Sequence, residues 1–181
     1  MKNLNKLLLV SLLALTGGIP SWAQTSTFAG KIINVGTAAT TLETGQWYVL
    51  YNAATTAYIV EGSDNTLGVS TTSPSGTDAA SNAGYLVQLE ETGTEGSYYL
   101  KSGLGNYYCN VTISRNNGTS ATLATKYDYT ITSFTTAGHW ALRSHNLYYL
   151  QNSNGKLIGA SARGSEGSDR DWALRSVTFS D

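Results

Sequence analysis

Charge is scarce in this chain: only 13% of its 181 residues are Asp, Glu, Lys or Arg, the signs are interspersed, and the net charge is -1. A protein that tracks phosphates needs a basic stripe, and none is present, so nucleic-acid and anionic-membrane partners are disfavoured. Cysteine occurs once, at Cys109. Intramolecular disulfides are therefore excluded, as is a lipid-modified cysteine following a leader. Neither of the two histidines, His139 and His145, has the spaced Cys, His or carboxylate partners of a metal site, so no metal and no cofactor is expected. Glu90, Glu91 and Glu95 cluster in one turn with no recurring carboxylate opposite, which argues against a glycosidase pair, and no enzyme is expected. The stretch Gly164 to Arg170 lacks the alternating oxygen ligands of a calcium loop. Long apolar runs are absent apart from Leu7 to Leu15, which is too short to cross a bilayer core of about 30 Å. With Lys2 and Lys6 ahead of it and Ser21-Trp22-Ala23 behind, residues 1–23 read as a secretory signal peptide. The expectation is a mature chain from Gln24, secreted or periplasmic and not inserted in a membrane.

What is present is tyrosine (12), glycine (19) and many threonines, the composition of short strands joined by glycine-rich turns. A marker of glycine, one residue, an aromatic, one residue and leucine or valine recurs at Gly45, Gly96 and Gly138, spaced by 51 and then 42 residues. Three units result, 45–95, 96–137 and 138–181, and a repeat of this period governs how everything else is read. The marker opens a first strand in each unit. A second follows at Ala57 to Glu61, Asn106 to Asn110 and Leu147 to Gln151, alternating as a half-buried strand must. The third is Thr66 to Ser70, then Ala121 to Thr125 or Val111 to Ser114, then Lys156 to Ala160. The fourth begins at Tyr85, Tyr127 and Trp172, with Tyr85 and Tyr127 each 11 residues ahead of the next marker. Residues 24–44 lie outside the repeat and read as a tether or an added edge strand.

Twelve short strands in three fourfold units predict an all-β fold, a β-trefoil with pseudo-threefold symmetry. A propeller needs more blades, and an immunoglobulin-like sandwich has no threefold self-similarity. Recurring aromatics at shared repeat positions should converge on the axis, so Trp47, Trp140 and Trp172 are assigned to the core. Cys109, aligned with Val60 and Leu150, is expected to be a buried small hydrophobe rather than a nucleophile.

Over Gly45 to Asp181 the pattern resembles the ricin-type β-trefoil superfamily, especially the divergent modules of secreted bacterial proteins. The family carries a ligand acid directly after the apolar residues of the second strand, and that place holds Glu61, Asn110 and Gln151 here. Its Gln-x-Trp signature on the fourth strand is replaced by Ala83-Gly84-Tyr85, Thr125-Lys126-Tyr127 and Arg170-Asp171-Trp172. The resemblance implies a glycan or polysaccharide partner, which needs an aromatic face and two or three polar groups. The candidates are Glu61, Asn110, Gln151, Tyr108, Tyr148 and Asn152, with Tyr51, Tyr85, Trp140, Asn65 and Asn154 nearby. Each polar residue is equally readable as a turn residue satisfying local backbone. A second class of function, a protein-binding inhibitor or adhesion module, would act through the insertion Thr71 to Gly84.

Overall fold

The marker glycines Gly45, Gly96 and Gly138 have φ of +79°, +71° and +85°, in the left-handed region that glycine reaches without a Cβ clash. The recurrence of that glycine is thus a recurrence of one backbone turn, which delivers the chain into the first strand of each lobe. A computed structural model describes residues 26–62, 64–109, 120–145 and 147–181. Residues 1–23, read above as a signal peptide, lie outside them. Among the described residues no helix is long and apolar enough to cross a membrane.

Strand β1 (Ile32–Ala38) precedes three lobes. The first comprises β2 (Trp47–Asn52), β3 (Ala57–Glu61), β4 (Thr66–Ser70) and β5 (Val87–Glu91). The second comprises β6 (Ser97–Ser102), β7 (Tyr107–Tyr108), β8 (Ser120–Leu123) and β9 (Asp128–Ser133). The third comprises β10 (Trp140–Ser144), β11 (Tyr148–Ser153), β12 (Lys156–Ala160) and β13 (Ala173–Ser180). The third strand of lobe two thus covers Ser120–Leu123, overlapping the first of its two expected positions. The other, Val111 to Ser114, lies outside the described residues.

First and fourth strands form a barrel. Antiparallel pairs run β2–β5–β6–β9–β10, and β13 returns to β2. The ring closes where Trp140 and Trp172 exchange two backbone hydrogen bonds of 2.9 Å. Hairpins β3–β4, β7–β8 and β11–β12 cap one end. This is a β-trefoil.

Its core repeats by lobe. The leucine of each first strand faces an apolar residue on the fourth strand of the preceding lobe: Leu50 opposite Leu174, Leu100 opposite Leu89, Leu142 opposite Ile131. All six are buried, and burying side chains of this size is worth about 1.5–3 kcal/mol each. A second ring follows two residues earlier on the fourth strands, Val87, Tyr129 and Trp172, met by Tyr48, Tyr98 and Trp140. Two alignments from sequence need correction here. Trp172 occupies the place of Val87 and Tyr129, not that of Tyr85 and Tyr127. Trp47 lies off the threefold core, because lobe one carries one more residue between its glycine and its leucine. Tyr48 takes the inward position, and Trp47 packs edge-on against Phe28 with ring centroids 5.2 Å apart.

Residues 32–38 add a strand to the trefoil, since β1 pairs along β13. The insertion after β4 holds the other edge of β1. Ile33 N donates to Thr77 O (2.9 Å), Gly76 N to Ile33 O (2.7 Å) and Ala79 N to Lys31 O (2.8 Å). Ala79 and Ala83 are buried with Phe28, Ile33, Val49 and Val177 in a smaller second core. The Thr71 to Gly84 insertion therefore caps a sheet edge that would otherwise expose unpaired backbone groups.

Candidate functional site

Cross-strand register decides which second-strand residues are equivalent. Tyr51 pairs with Tyr58, Lys101 with Tyr107 and Arg143 with Tyr149, which makes those three tyrosines one position. Ile59, Tyr108 and Leu150 come next, all fully buried. Val60, Cys109 and Gln151 follow, pointing outward, and then Glu61, Asn110 and Asn152. The sequence alignment is therefore one residue out in lobe three: Asn152, not Gln151, matches Glu61. Because side chains alternate along a strand, that slip exchanges the two faces.

The consequences fall on the candidate residues. Tyr108 is 0% exposed, so it has no ring face for a ligand, and burial raises its phenol well above the ordinary value. Tyr148 turns its ring onto the core, as Trp140 does. Glu61 and Asn152 are 4% and 2% exposed. Asn110 lies outside the described residues. Cys109 is half-buried rather than buried, as its outward position requires, and its carbonyl accepts a hydrogen bond of 2.6 Å from the Tyr129 hydroxyl. Tyr85 is engaged with Ser70 Oγ at 2.9 Å, and Asn65 Oδ1 accepts from Asn106 Nδ2 at 3.0 Å.

The polar residues of lobe three nonetheless converge on one feature. A cleft of about 780 Å³ opens between the hairpins of lobes one and three, walled by Thr55, Ser70, Thr71, Asn152, Asn154 and Asp169, with Ala57 and Val69 as apolar lining. Asn152 joins the two lobes: its Nδ2 donates to Thr55 Oγ1 (2.7 Å), its backbone N to Asp169 O (2.9 Å), and its Oδ1 accepts from Gly155 N (3.1 Å). Gln151, on the opposite face of the strand, donates from Nε2 to Asp169 Oδ2 at 2.6 Å. Asp169 keeps 36% of its side chain exposed, with Arg170 Nε only at 3.8 Å from Oδ1. A carboxylate is thus held by one oxygen and offered by the other.

The loop carrying Asp169 is fixed on both sides. Asp171 Oδ2 accepts from Gly167 N at 2.7 Å and lies 2.7 Å from His139 Nδ1. Asn52 Nδ2 donates to Ser168 O (3.1 Å) and Asp171 O (2.9 Å). Glu166 Oε2 accepts from the backbone of Thr135 and Thr136, both at 3.2 Å, and hydrogen bonding from the Thr136 side chain, then from its backbone, holds the Glu166 carboxyl below the ordinary value. Such an arrangement binds hydroxyls without reorganising: a held carboxylate and several side-chain hydroxyls present acceptors and donors on one wall. Asp169 is the one carboxylate among the described lining residues, and no group of three or more metal-type side chains occurs among the described residues.

Sequence reasoning missed Asp169. It sits in the Gly164 to Arg170 stretch, three residues ahead of Trp172, and that distance from a core anchor was the available signal.

Lobe two presents a different surface. Glu90 receives the Tyr107 hydroxyl at 3.1 and 3.0 Å and Lys126 Nζ at 2.8 Å, with Lys101 Nζ at 3.4 Å. Partial burial pushes its carboxyl up, but the bonds from Lys126 and Tyr107 outweigh burial and leave it below the ordinary 4.5. A depressed carboxyl stabilises the fold above its unfolded value and loses that contribution as pH falls through the folded value. Glu90→Gln is therefore expected to flatten the acid limb of thermal stability below pH 4.5, as read by melting temperature against pH. An unchanged limb would show that the cluster is fully screened by solvent.

The fold has close parallels among solved structures. The Macrolepiota procera ricin B-like lectin, solved with lactose, superposes with a TM-score of 0.58 at 15% identity over 74% of this chain and 97% of that one. The Polyporus squamosus lectin, solved with a Neu5Ac-Gal-GlcNAc epitope, gives 0.56 at 14% identity over 74% of this chain. The designed threefold-symmetric protein ThreeFoil gives 0.54 at 15% identity over 71% of this chain and 97% of that one. This chain spans half the length of the Polyporus lectin it matches. No family model and no curated protein matches the sequence. The fold the chain shares with them is the β-trefoil.

Proposed function

We propose that this chain is a secreted, non-catalytic carbohydrate-binding module whose working site is the cleft between lobes one and three. The observation that carries the reading is Asp169, tied by Gln151 at 2.6 Å and half-open on the wall of a hydroxyl-lined cavity of about 780 Å³. A sugar hydroxyl can donate to the Asp169 oxygen that Gln151 leaves open. The lectin neighbours, one of them solved with lactose, support the class of ligand. Export follows from the leader in residues 1–23. The insertion at 71–84 has its backbone committed to β1, which leaves it little freedom to serve as a protein-binding loop.

A glycan array tests the reading. The wild-type mature chain is expected to give signal, with Asp169→Ala and Gln151→Ala each lowering affinity about tenfold or more, the worth of one charge-assisted hydrogen bond. Absence of any glycan signal from folded wild type would overturn it.

A further inference from the structure

Around the outside of the barrel a cation lies over a tyrosine ring at three places, and among the described residues a carboxylate, Glu90 of β5, accompanies the one at β6 and β7. In lobe two, Lys126 Nζ lies 4.6 Å from the Tyr107 ring centroid and 5.2 Å from that of Tyr99, and Glu90 receives both Lys126 and the Tyr107 hydroxyl. In lobe three, the Arg143 guanidinium carbon lies 5.6 Å from the centroid of Tyr149, which occupies the same second-strand position as Tyr107. The fourth-strand residue equivalent to Glu90 is Thr132, since Glu90 faces Tyr99 as Thr132 faces Ala141. Arg143 occupies the first-strand position of Lys101, which lies 3.4 Å from Glu90, so lobe three has kept the cation and the ring of that position and has Thr132 in place of the acid.

The local electrostatics follow from that loss. The ion pairs among the described residues engage Lys31, Lys101, Lys126, His139, His145 and Arg170, and Arg143 is in none of them. Its Nε is buried with no hydrogen-bond partner among the described residues, as are those of Arg163, Arg170 and Arg175. Asp128 on the neighbouring β9 is already taken by His145 Nδ1 at 2.6 Å. Arg175 over Tyr51, at 4.3 Å, is a similar pair, but Arg175 lies on β13 between β1 and β2, at the fourth-strand position that Glu90 and Thr132 occupy in the other lobes.

Position ties the lobe-three pair to the cleft. Tyr149 and Gln151 are two residues apart on the same outward face of β11, about 7 Å along the strand, and Gln151 reaches Asp169 on the cleft wall at 2.6 Å. Building on the glycan-binding reading, we infer that Arg143 and Tyr149 form a subsite next to the Asp169 cleft for a carboxylate-bearing sugar. The ligand is then an acidic oligosaccharide of the uronic-acid type. Its carboxylate pairs with the guanidinium that Arg143 holds over Tyr149, as Glu90 of β5 pairs with Lys101.

The test is calorimetric titration of the mature chain with oligogalacturonate, with the same oligomer after carboxyl reduction, and with a sulfated neutral oligosaccharide. Wild type is expected to bind the uronate about tenfold tighter than the reduced form, and the preference should shrink as salt is raised. Arg143→Ala should abolish the preference while leaving affinity for the reduced oligomer unchanged, and Arg143→Lys should retain part of it. Thermal melts of both variants report folding. Equal binding of uronate and reduced oligomer by wild type, or equal loss of both in Arg143→Ala, overturns the subsite and leaves the cleft reading standing. A sulfated ligand preferred over the uronate overturns the carboxylate assignment. Failure of every glycan to bind overturns the cleft reading and the subsite together.

Discussion

Trp172→Ala is expected to destabilise the domain by about 3–5 kcal/mol, against a total stability of about 5–15 kcal/mol for a domain of ordinary size. Trp172 is fully buried, its indole N–H donates to Leu150 O at 2.9 Å, and its backbone supplies the two bonds that close β13 onto β10. Alanine leaves a cavity where the barrel meets the third hairpin and leaves the Leu150 carbonyl short of a donor. Trp172→Phe keeps most of the volume and loses the hydrogen bond, for a cost of about 1–2 kcal/mol. Trp47→Ala, at the rim of the smaller core, should cost about half of the Trp172→Ala value. Urea unfolding of the mature chain reads all three, with the slope held constant to exclude a change in the unfolded state. A Trp172→Ala loss below about 1 kcal/mol would mean that the threefold core does not carry the stability assigned to it.

Gly84→Ala is the second large effect, expected at about 3 kcal/mol, the upper part of the overpacking range. A Cβ at Gly84 would meet Glu61 O at 2.3 Å, and the carbonyl carbon and amide nitrogen of the same residue at 3.3 and 3.4 Å. All three are backbone atoms, so no flexible side-chain end can move aside. The neighbouring contact is of the same kind, since a Cβ at Gly103 would lie 2.3 Å from Ala83 O. The end of β3, the 3-10 turn Ala83–Tyr85 and the β6–β7 connection are thus stacked backbone on backbone. Neither glycine has positive φ, so contact alone sets the cost. Gly76→Ala supplies the contrast: its φ is +76° and nothing lies within 4 Å, so only conformational strain of about 1 kcal/mol applies. If Gly84→Ala cost no more than Gly76→Ala, the close stacking would be wrong.

Much of the fold was legible because trefoil lobes must each present the same surface to a shared axis. Gly45, Gly96 and Gly138 recur because one backbone turn recurs, and Leu50, Leu100 and Leu142 recur because they fill one barrel layer. The site was less legible. The tyrosine runs Tyr107-Tyr108 and Tyr148-Tyr149 offer two equally good alignments by residue type, and the one that keeps tyrosine first in the run sets Gln151 beside Glu61. Pairing of Arg143 with Tyr149 selects the other. Tyr108 and Tyr148 then turn inward, and Tyr107 and Tyr149 carry the outward faces. Asp169 was hidden for another reason: its loop is placed by bonds to Asn52, His139 and Gln151, which span between 18 and 116 positions in the chain.

The sequence by itself determined the three repeats and their twelve strands, because alternation and turn glycines are local properties that recur in each lobe. Tertiary structure alone decided which side of each second strand faces the core, that the 71–84 insertion covers β1, and that Gln151 meets Asp169 at a cleft between lobes. The physical reason is that a strand's period of two defines two faces but not their destinations. Those are set by cross-strand register and by contacts between residues far apart in the chain, where a shift of a single position exchanges core for surface.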